Sequence, residues 1–327
     1  MKNILVTGGA GFIGSHLVRL LVNKYPDYHI INMDLLTYAG NLDNLKDIQD
    51  KANYTFIKCD ICDIENVKQV FIDHKIDSII HLAAESHVDN SIKNPTLFAE
   101  TNILGTINLL NSVNKIWKSK EGKKFYHIST DEVYGTLGAT GSFKESTPYD
   151  PRSPYSASKA SSDHFVRSYY HTYGIPILIS NCSNNFGPNQ HKEKLIPVVI
   201  NSIINNKKIP VYGNGLNIRD WLYVQDHVNA IDKIFHDGSV GETYNIGGGN
   251  ELTNIELIKN IIKITSSLTK KSESSLNELI EYVSDRKGHD YRYSIDYSKI
   301  SNLLNWKPKF EFETALEHTI NWYLHKS

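Results

Sequence analysis

Cysteine is scarce in this sequence, whose 327 residues include only three. A small and odd number of cysteines excludes the disulfide-rich class of small secreted proteins. Cys59 and Cys62 form a C-x-x-C pair, but no second pair and no nearby pair of histidines completes the four ligands of a zinc site. We therefore interpret both as incidental thiols and predict no metal site.

Long apolar runs and an excess of one charge are missing as well. The 35 Lys and Arg residues nearly balance the 36 Asp and Glu residues, for a formal net charge of -1. This balance argues against nucleic acid or an anionic membrane surface as a partner. No run approaches the ~20 apolar residues of a membrane span, and Gly8 comes too early for the apolar core of a signal peptide. The sequence thus predicts a cytoplasmic protein without membrane segments.

Short β-rich runs alternate with helical patterns in the first half of the chain. Strands are predicted at residues 3–7, 29–34, 54–60, 78–83, 124–129 and 175–180. Helices are predicted at residues 11–24, 63–74, 95–116 and 154–173. Such alternation is typical of an α/β fold with a doubly wound parallel sheet that is covered by helices on both faces.

The second half is less regular. Strands are predicted near residues 211–212, 221–224 and 243–246, and helices at 225–236, 253–265 and 312–324. A length of 327 residues suggests about two domains. We expect a dinucleotide-binding domain over residues 1–180 and a smaller, mixed α/β substrate lobe over 181–327. Residues of about 221–247 are expected to return to the first sheet.

A glycine-rich turn joins the first predicted strand to the first helix through Gly8, Gly11 and Gly14. Glycines permit a tight turn and a close approach of the backbone, and the following helix N-terminus favours phosphate groups. The second strand ends in Asp34, about twenty residues after the last glycine, where a carboxylate accepts ribose hydroxyls and disfavours a 2′-phosphate. The predicted cofactor is therefore NAD rather than NADP.

Two further strand ends fit a dinucleotide. Asp60 and Ile61 follow the third strand, where a carboxylate and an apolar side chain could bracket an adenine; a plain turn acid is equally compatible with this position. The fourth strand ends in Leu82, Ala83 and Ala84, whose small side chains suit a backbone that runs beside a cofactor.

Tyr155 and Lys159 are separated by one helical turn and so share a helix face. A phenol with a pKa near 10 is a poor base at neutral pH. The neighbouring ammonium and a nicotinamide cation should lower the pKa of Tyr155. Asp131 and Glu132 follow the fifth strand, and two acids with separated pKa values can supply one acid and one base. Alone, either pair could also be an ordinary surface feature.

Together these motifs resemble the extended short-chain dehydrogenase/reductase family and, within it, the nucleoside-diphosphate-glucose 4,6-dehydratases. The resemblance rests on motifs that occur in order over nearly the whole chain: TGGAGFIGS (7–15), HLAAESHVD (81–89), STDEVYG (129–135), YSASK (155–159), SNNFGP (183–188), EKLIP (193–197), RDWLYV (219–224) and DRKGHD (285–290). It implies a redox-neutral reaction with bound NAD that yields a 4-keto-6-deoxy sugar nucleotide and water. The implied substrate is dTDP-glucose, although the residues themselves leave dTDP, UDP, GDP and CDP open.

The same resemblance implies roles for individual residues. Tyr155, aided by Lys159 and Thr130, would take the O4 proton, Glu132 would remove the C5 proton, and Asp131 would protonate the departing C6 hydroxyl. Implied cofactor contacts are Gly8, Gly11, Phe12, Ile13, Gly14, Asp34, Asp60, Ile61, Leu82, Ala83, Ala84, Thr101, Tyr155, Lys159 and Asn185. Implied substrate contacts are Ser86, Thr130, Asn184, Lys194, Leu195, Pro210, Tyr212, Arg219, Asn254, Arg286 and His289.

Three alternatives remain open at this point. Another nucleotide-sugar 4,6-dehydratase would use the same residues. A 4-epimerase or decarboxylase of the superfamily would share the glycines and the Tyr-Lys pair, but epimerases typically carry a small residue in place of Asp131-Glu132. A catalytically silent NAD-binding protein would not need Tyr155, Lys159 or the acids.

The resemblance also implies a homodimer, for which the helices at 95–116 and 154–173 are candidates.

Overall fold

The computed structural model describes residues 2–285 and 288–326. Its strands are β1 (Lys2–Thr7), β2 (Tyr28–Asp34), β3 (Tyr54–Lys58), β4 (Ser78–His81), β5 (Lys124–Thr130), β6 (Ile177–Cys182), β7 (Asn184–Phe186), β8 (Ile209–Tyr212), β9 (Ile218–Tyr223), β10 (Thr243–Ile246), β11 (Glu251–Thr253) and β12 (Ile280–Val283).

Its helices are α1 (Phe12–Lys24), α2 (Ile64–Asp73), α3 (Val88–Lys93), α4 (Pro95–Phe98), α5 (Gly105–Ile116), α6 (Pro154–Tyr173), α7 (Leu195–Ile204), α8 (Val224–Asp237), α9 (Asn254–Thr269), α10 (Glu273–Asn277), α11 (Ser298–Leu304) and α12 (Phe312–Lys326). Short 3-10 helices span Leu42–Leu45 and Asp131–Tyr134, and a π-helix spans Ala99–Leu104. Of the helices described, none has both the length and the apolar character needed to cross a membrane.

The main sheet has the strand order β10-β6-β5-β4-β1-β2-β3, and all neighbouring strands are parallel. Side chains alternate between its faces: Ile4 and Val6 pack with the apolar face of α1, whereas Leu5 packs with that of α2 and α5. Burial on both faces explains why these strands are nearly continuous apolar runs. The predicted doubly wound parallel sheet is confirmed.

The strand order reverses between β1 and β4. From β1 the chain runs outward to β2 and β3 on one side, and the strands from β4 onward lie on the other. In such sheets the connections at the carboxyl ends diverge at the reversal and leave a crevice. This is the place where the glycine-rich turn after β1 meets the residues after β4.

The second half adds two smaller sheets, the three-stranded β11-β9-β7 and the pair β12-β8. The three-stranded sheet is mixed, because β7 is parallel and β11 antiparallel to β9. From this half, β10 joins the main sheet and α8 packs against α1. The strands β7, β11 and β12 were not predicted, since runs of three or four residues carry little periodic signal.

The sixth strand begins two residues later than predicted, at Ile177 instead of residue 175. Gly174 ends α6 in the left-handed region (φ +64°), and the N–H groups of Gly174 and Ile175 still bond to carbonyl groups of that helix. Pro176 follows and has no N–H to donate to a neighbouring strand. The strand can therefore start only after this helix end.

The helix predicted over residues 95–116 is interrupted by the π-helix Ala99–Leu104. Within it, the Asn102 amide accepts the N–H of Glu85 (2.9 Å) and donates to the carbonyl of Glu85 (3.0 Å) and to the hydroxyl of Ser158 (2.8 Å). These bonds tie the segment to the loop after β4 and to α6. A π-helical turn inserts one residue without changing composition, so apolar periodicity does not reveal it.

Candidate active site

A cavity of about 760 Å³ lies at the carboxyl edge of the main sheet, where the strand order reverses. Its volume is in the range of small-molecule and cofactor sites. All the residues predicted to contact the cofactor line it: Gly8, Gly11, Phe12, Ile13, Gly14, Asp34, Asp60, Ile61, Leu82, Ala83, Ala84, Thr101, Tyr155, Lys159 and Asn185.

The turn after β1 has no room for larger residues. Gly8 adopts φ +72°, and a Cβ there would lie 2.7 Å from the backbone nitrogen of Ala83. A Cβ on Gly14 would overlap the carbonyl oxygen of Gly8. Gly11 precedes α1 without a side-chain cap, so the first N–H groups of this helix remain available to an anion. The turn fits the diphosphate of a dinucleotide.

Asp34 is held at the end of β2 by two backbone hydrogen bonds. Its Oδ2 accepts the N–H of Ala10 (2.9 Å) and its Oδ1 accepts the N–H of Leu36 (2.8 Å). Each carboxylate oxygen has a second acceptor position, so both can still accept a ribose hydroxyl. Asp60 is fixed in a similar way, because its Oδ1 accepts the N–H of Cys62 (2.8 Å). The lining therefore fits NAD.

Several lining residues escaped the sequence analysis. They include Thr37, Gly40, Cys59, Cys62, Glu85, Glu100, Asn108, Ser129, Cys182, Ser183, Gln190 and His191. Most lie in loops, whose path the sequence does not specify. Cys59 and Cys62 were interpreted as incidental, although both reach the cavity wall; burial raises the pKa of each thiol, that of Cys62 to about 12.

The paired acids stand on the 3-10 helix that follows β5. The Thr130 hydroxyl accepts the N–H of Glu132 (3.3 Å) and so caps this turn. Gly135 ends it with φ +89°, where a Cβ would lie 2.6 Å from the carbonyl oxygen of Asp150. Because the turn is fixed at both ends, Asp131 and Glu132 are held at the cavity wall.

Asp131 is buried with few hydrogen-bond donors. The Thr130 hydroxyl lies 3.4 Å from its Oδ1, and its Oδ2 has no hydrogen-bond partner. Burial, together with the negative charges of Glu132 and Asp220, raises the pKa of Asp131 well above its usual range, against a smaller opposing effect of Arg219. These surroundings favour the protonated form of the Asp131 carboxyl, which is the form that can donate a proton.

Tyr155 lies in the first turn of α6, which Ser153 and Ser156 cap reciprocally. The expectation that its pKa is lowered was wrong for the protein's own groups. Burial and the charge of Glu132 raise the pKa of Tyr155, and they outweigh a hydrogen bond with Thr130 that lowers it.

The ammonium of Lys159 is held by contacts with β5. Its Nζ donates to the carbonyl oxygen of Ile128 (2.8 Å) and lies 3.4 Å from Nε2 of His127. Burial lowers the pKa of Lys159 to about 8, although the negative charge of Asp163 opposes that change. Lys159 is thus near the boundary between charged and neutral forms at physiological pH.

The predicted substrate residues fall into two groups. Ser86, Thr130, Asn184 and Lys194 line the cavity, and Nζ of Lys194 donates to the carbonyl of Ser86 (2.9 Å). Residues that do not line it are Leu195, Pro210, Tyr212, Arg219, Asn254 and His289. Arg286 lies outside the described residues.

Arg219 is nearly buried beside the acid turn. Its guanidinium donates to the carbonyl groups of Ile218 (2.7 Å) and Asp290 (3.0 Å) and lies 4.4 Å from the ring centroid of Tyr293. Tyr293 is a neighbour that the sequence analysis missed; its hydroxyl donates to the carboxylate of Asp290. In this arrangement the positive charge of Arg219 acts on Asp131, and its predicted phosphate contact stays a prediction.

Comparison with known proteins identifies the family. The family described as GDP-mannose 4,6 dehydratase matches residues 5–319. The chain belongs to this dehydratase family. A dTDP-glucose 4,6-dehydratase of Neisseria meningitidis is 49% identical over 333 residues, which cover 99% of this chain and 94% of that protein.

Solved structures extend the comparison. A dTDP-glucose 4,6-dehydratase of Streptomyces venezuelae, crystallised with NAD and TYD bound, is 43% identical and superposes with a TM-score of 0.91 over 99% of this chain and 97% of that one. A UDP-glucose 4-epimerase of Thermotoga maritima, with UDP-glucose, is 30% identical with a TM-score of 0.88, over 99% of both chains. Since an epimerase shares the fold, the fold of this dehydratase-family chain does not by itself define the reaction.

Proposed function

We propose that this chain is a dTDP-glucose 4,6-dehydratase, which converts dTDP-glucose to dTDP-4-keto-6-deoxy-glucose and water in deoxysugar nucleotide biosynthesis. The observation that carries the proposal is that Asp131 and Glu132 line the same cavity as Tyr155 and Lys159. The full-length relative at 49% identity, a dTDP-glucose 4,6-dehydratase, supports the choice of substrate.

The glycine turn, the Asp34 carboxylate, Asp60 and Ile61 line the cavity and would hold NAD, with Asp34 at the ribose and Asp60 and Ile61 at the adenine. When bound, NAD supplies a hydride acceptor for C4, a hydride donor for C6 and a positive charge that favours the phenolate of Tyr155. The cofactor is regenerated in each turnover, so tight binding without exchange suits the reaction.

We propose that residues 1–180 form this dinucleotide-binding part, that about 221–247 return to it, and that 181–327 mainly form the substrate lobe.

The first step is the removal of the O4 proton by Tyr155 as hydride leaves C4. Thr130 hydrogen-bonds with Tyr155 and can also contact O4, and Lys159 holds positive charge on the same helix face. The product of this step is a 4-ketone, which makes the hydrogen at C5 acidic.

The second step is elimination across C5 and C6. Glu132 removes the C5 proton as a base, and Asp131 donates its proton to the departing O6, so that water leaves. The raised pKa of Asp131 supports this division, because a base at C5 and an acid at O6 are needed at the same moment. A hydride then returns to C6 and a proton to C5, so that the overall reaction is redox-neutral.

The remaining predicted contacts concern the nucleotide. Ser86, Asn184, Lys194 and Leu195 would contact the sugar and diphosphate, and Pro210 and Tyr212 the base. Arg219, Asn254, Arg286 and His289 would bind the diphosphate and nucleoside.

We also propose a homodimer. Its support is the presence of exposed apolar side chains on α6, one of the helices expected to pair: Phe165 and Tyr173, which do not line the cavity, are 40% and 46% exposed.

The direct test is to incubate the purified protein with dTDP-glucose and follow the nucleotide-sugar by mass spectrometry. The proposal predicts the loss of one water and no net consumption of NAD. A 4-epimerase gives an isomer of unchanged mass, and a catalytically silent protein gives no change; either result contradicts the proposal. UDP-glucose, GDP-glucose and CDP-glucose, assayed in parallel, test the base preference. Light scattering on the same preparation tests the homodimer.

A further inference from the structure

A cluster of polar side chains is packed behind Lys159, between β5 and α6. We name it the counter-ion cluster and define it as His127, Ser129, Tyr149 and Asp163. His127 and Asp163 are 0% exposed, and neither of them lines the cavity. The roles proposed for substrate, cofactor and acid-base chemistry do not use them.

The cluster surrounds a single carboxylate. Oδ2 of Asp163 accepts the hydroxyl of Ser129 (2.9 Å) and the phenol of Tyr149 (2.8 Å). Its Oδ1 lies 3.1 Å from Nε2 of His127, and the same Nε2 lies 3.4 Å from Nζ of Lys159. Asp163 also follows Lys159 by one turn of α6, so both project from the same helix face.

These partners keep Asp163 ionised. Burial by itself raises the pKa of a carboxyl, but hydrogen bonding and the positive charge of protonated His127, the charge of Lys159 and the hydrogen bond of Tyr149 more than offset it and lower the pKa of Asp163. At pH 7 His127 is neutral, so Lys159 is the cation that remains among these partners. A buried carboxylate without a cation is strongly unfavourable. Lys159 supplies that cation across the imidazole of His127.

The other titratable groups that face Lys159 are neutral at pH 7. They are His81 on β4, His127 on β5, Cys182 on β6 and Tyr155 on α6. Burial lowers the pKa of His127 to about 4 and holds that of His81 well below its usual range. It raises the pKa of Cys182 to about 12, and that of Tyr155 is also raised. Among the groups named, Asp163 carries the negative charge.

We propose that Asp163 is a positioning residue whose carboxylate, with His127 between, is the buried counter-ion that keeps the ammonium of Lys159 charged beside Tyr155. This proposal rests on the catalytic roles proposed for Tyr155 and Lys159. Without a counter-ion, a lysine in such a site loses its proton, and fully buried lysines can titrate at about pH 5–6.

The experiment measures the titration of Lys159 directly, by ¹⁵N NMR of lysine-labelled protein with the signal assigned through Lys159→Arg. The parent is expected to titrate near pH 8. Asp163→Asn, which keeps the shape but removes the charge, should lower that midpoint by about one unit, which is a tenfold change in the charged fraction. An unchanged midpoint overturns the proposal. A midpoint for Lys159 below about pH 6 in the parent also overturns the proposal, and this outcome does not depend on whether a variant folds.

Kinetics supply the link to function. If the charge of Lys159 supports the removal of the O4 proton, the basic limb of the kcat profile of Asp163→Asn moves to lower pH by the same amount, with KM unchanged. Tyr149→Phe is the matched control, because it removes one hydrogen bond to Asp163 but leaves the carboxylate and its other partners; its basic limb should move much less than that of Asp163→Asn. A shift in Tyr149→Phe as large as that of Asp163→Asn would mean that the charge is not the cause and would overturn the proposal. If the parent does not dehydrate dTDP-glucose, the proposed function fails while the NMR result still decides the counter-ion.

Discussion

Two buried carboxylates lie close to Tyr155 and Lys159, and they differ in the donors around them. Asp131, in the acid turn, has one hydrogen bond of 3.4 Å and an oxygen without a hydrogen-bond partner. Asp163, in the counter-ion cluster, accepts two hydroxyl groups on Oδ2 at 2.8 and 2.9 Å, and its Oδ1, which also has no hydrogen-bond partner, lies 3.1 Å from Nε2 of His127. Their exposure is nearly equal, at 2% and 0%.

Two equally buried carboxyls thus have pKa values shifted in opposite directions. Desolvation raises the pKa of both, but only at Asp163 do donors and positive charge reverse the direction. At Asp131 the neighbouring charges of Glu132 and Asp220 add to the effect of burial. The number and charge of the neighbours, rather than depth, decides which carboxyl is a proton donor and which is a counter-ion.

The largest expected effect comes from Glu132→Gln. A neutral amide cannot remove the C5 proton, so dehydration should fall by about 10³-fold, within the range typical of a lost general base. Oxidation at C4 depends on Tyr155 and should continue, so reduced nicotinamide should accumulate on mixing with dTDP-glucose. Stopped-flow absorbance measures the accumulation of reduced nicotinamide, and mass spectrometry measures dehydration. Glu317→Gln, on the exposed face of α12, is the control. Normal turnover of Glu132→Gln would remove Glu132 from the mechanism.

How far the sequence predicts the site depends on the kind of signal. The glycine turn and the end of β2 are local patterns with a fixed spacing, and the structure brings Gly8, Gly14 and Asp34 to one cavity as expected. The main sheet was also predictable from local patterns, since most of its strands are short, nearly continuous apolar runs.

The counter-ion cluster was not predictable. His127 is a polar residue within an apolar strand, and Asp163 lies 36 residues further along the chain in another element. Nothing in their spacing shows that α6 packs on β5 so as to bring them together. The direction of the pKa of Tyr155 was missed for a related reason: helix spacing places Lys159 on the same face but does not reveal that burial and the charge of Glu132 raise the pKa of the phenol.

Asp131→Asn should have the next largest effect. Asparagine keeps the shape and can donate a hydrogen bond, but it cannot transfer a proton to O6, so kcat should fall by about 10²-fold. Removal of the C5 proton by Glu132 should persist, so C5 should exchange with D2O faster than water is lost. Mass spectrometry of the nucleotide-sugar follows both processes. Asp73→Asn, at the end of α2, is the matched control. Equal slowing of exchange and dehydration would contradict separate acid and base roles.

The smallest expected effect is on the free energy of unfolding. Its change with pH has opposite signs at Asp131 and in the counter-ion cluster. The raised folded-state pKa of Asp131 means that burial costs stability once pH exceeds its unfolded value near 4, and the cost grows with pH until the folded pKa is reached. Asp131→Asn removes this cost. It should therefore be more stable than the parent by about 1–3 kcal/mol at pH 7.5, and the difference should shrink as the pH falls toward 4.

The contribution of the counter-ion cluster to stability changes with pH in the opposite direction. The pKa of His127 is about 4 when folded against about 6.5 when unfolded, so its contribution is present above pH 6.5 and is lost as the pH falls. Parent and Asp131→Asn should therefore both melt at lower temperature in acid, and the variant should lose more. Thermal unfolding at pH 7.5 and pH 5 measures both slopes. A gap between the two proteins that stays constant or widens in acid would mean that Asp131 is ionised in the folded protein, and the contrast between the two buried carboxylates would fail.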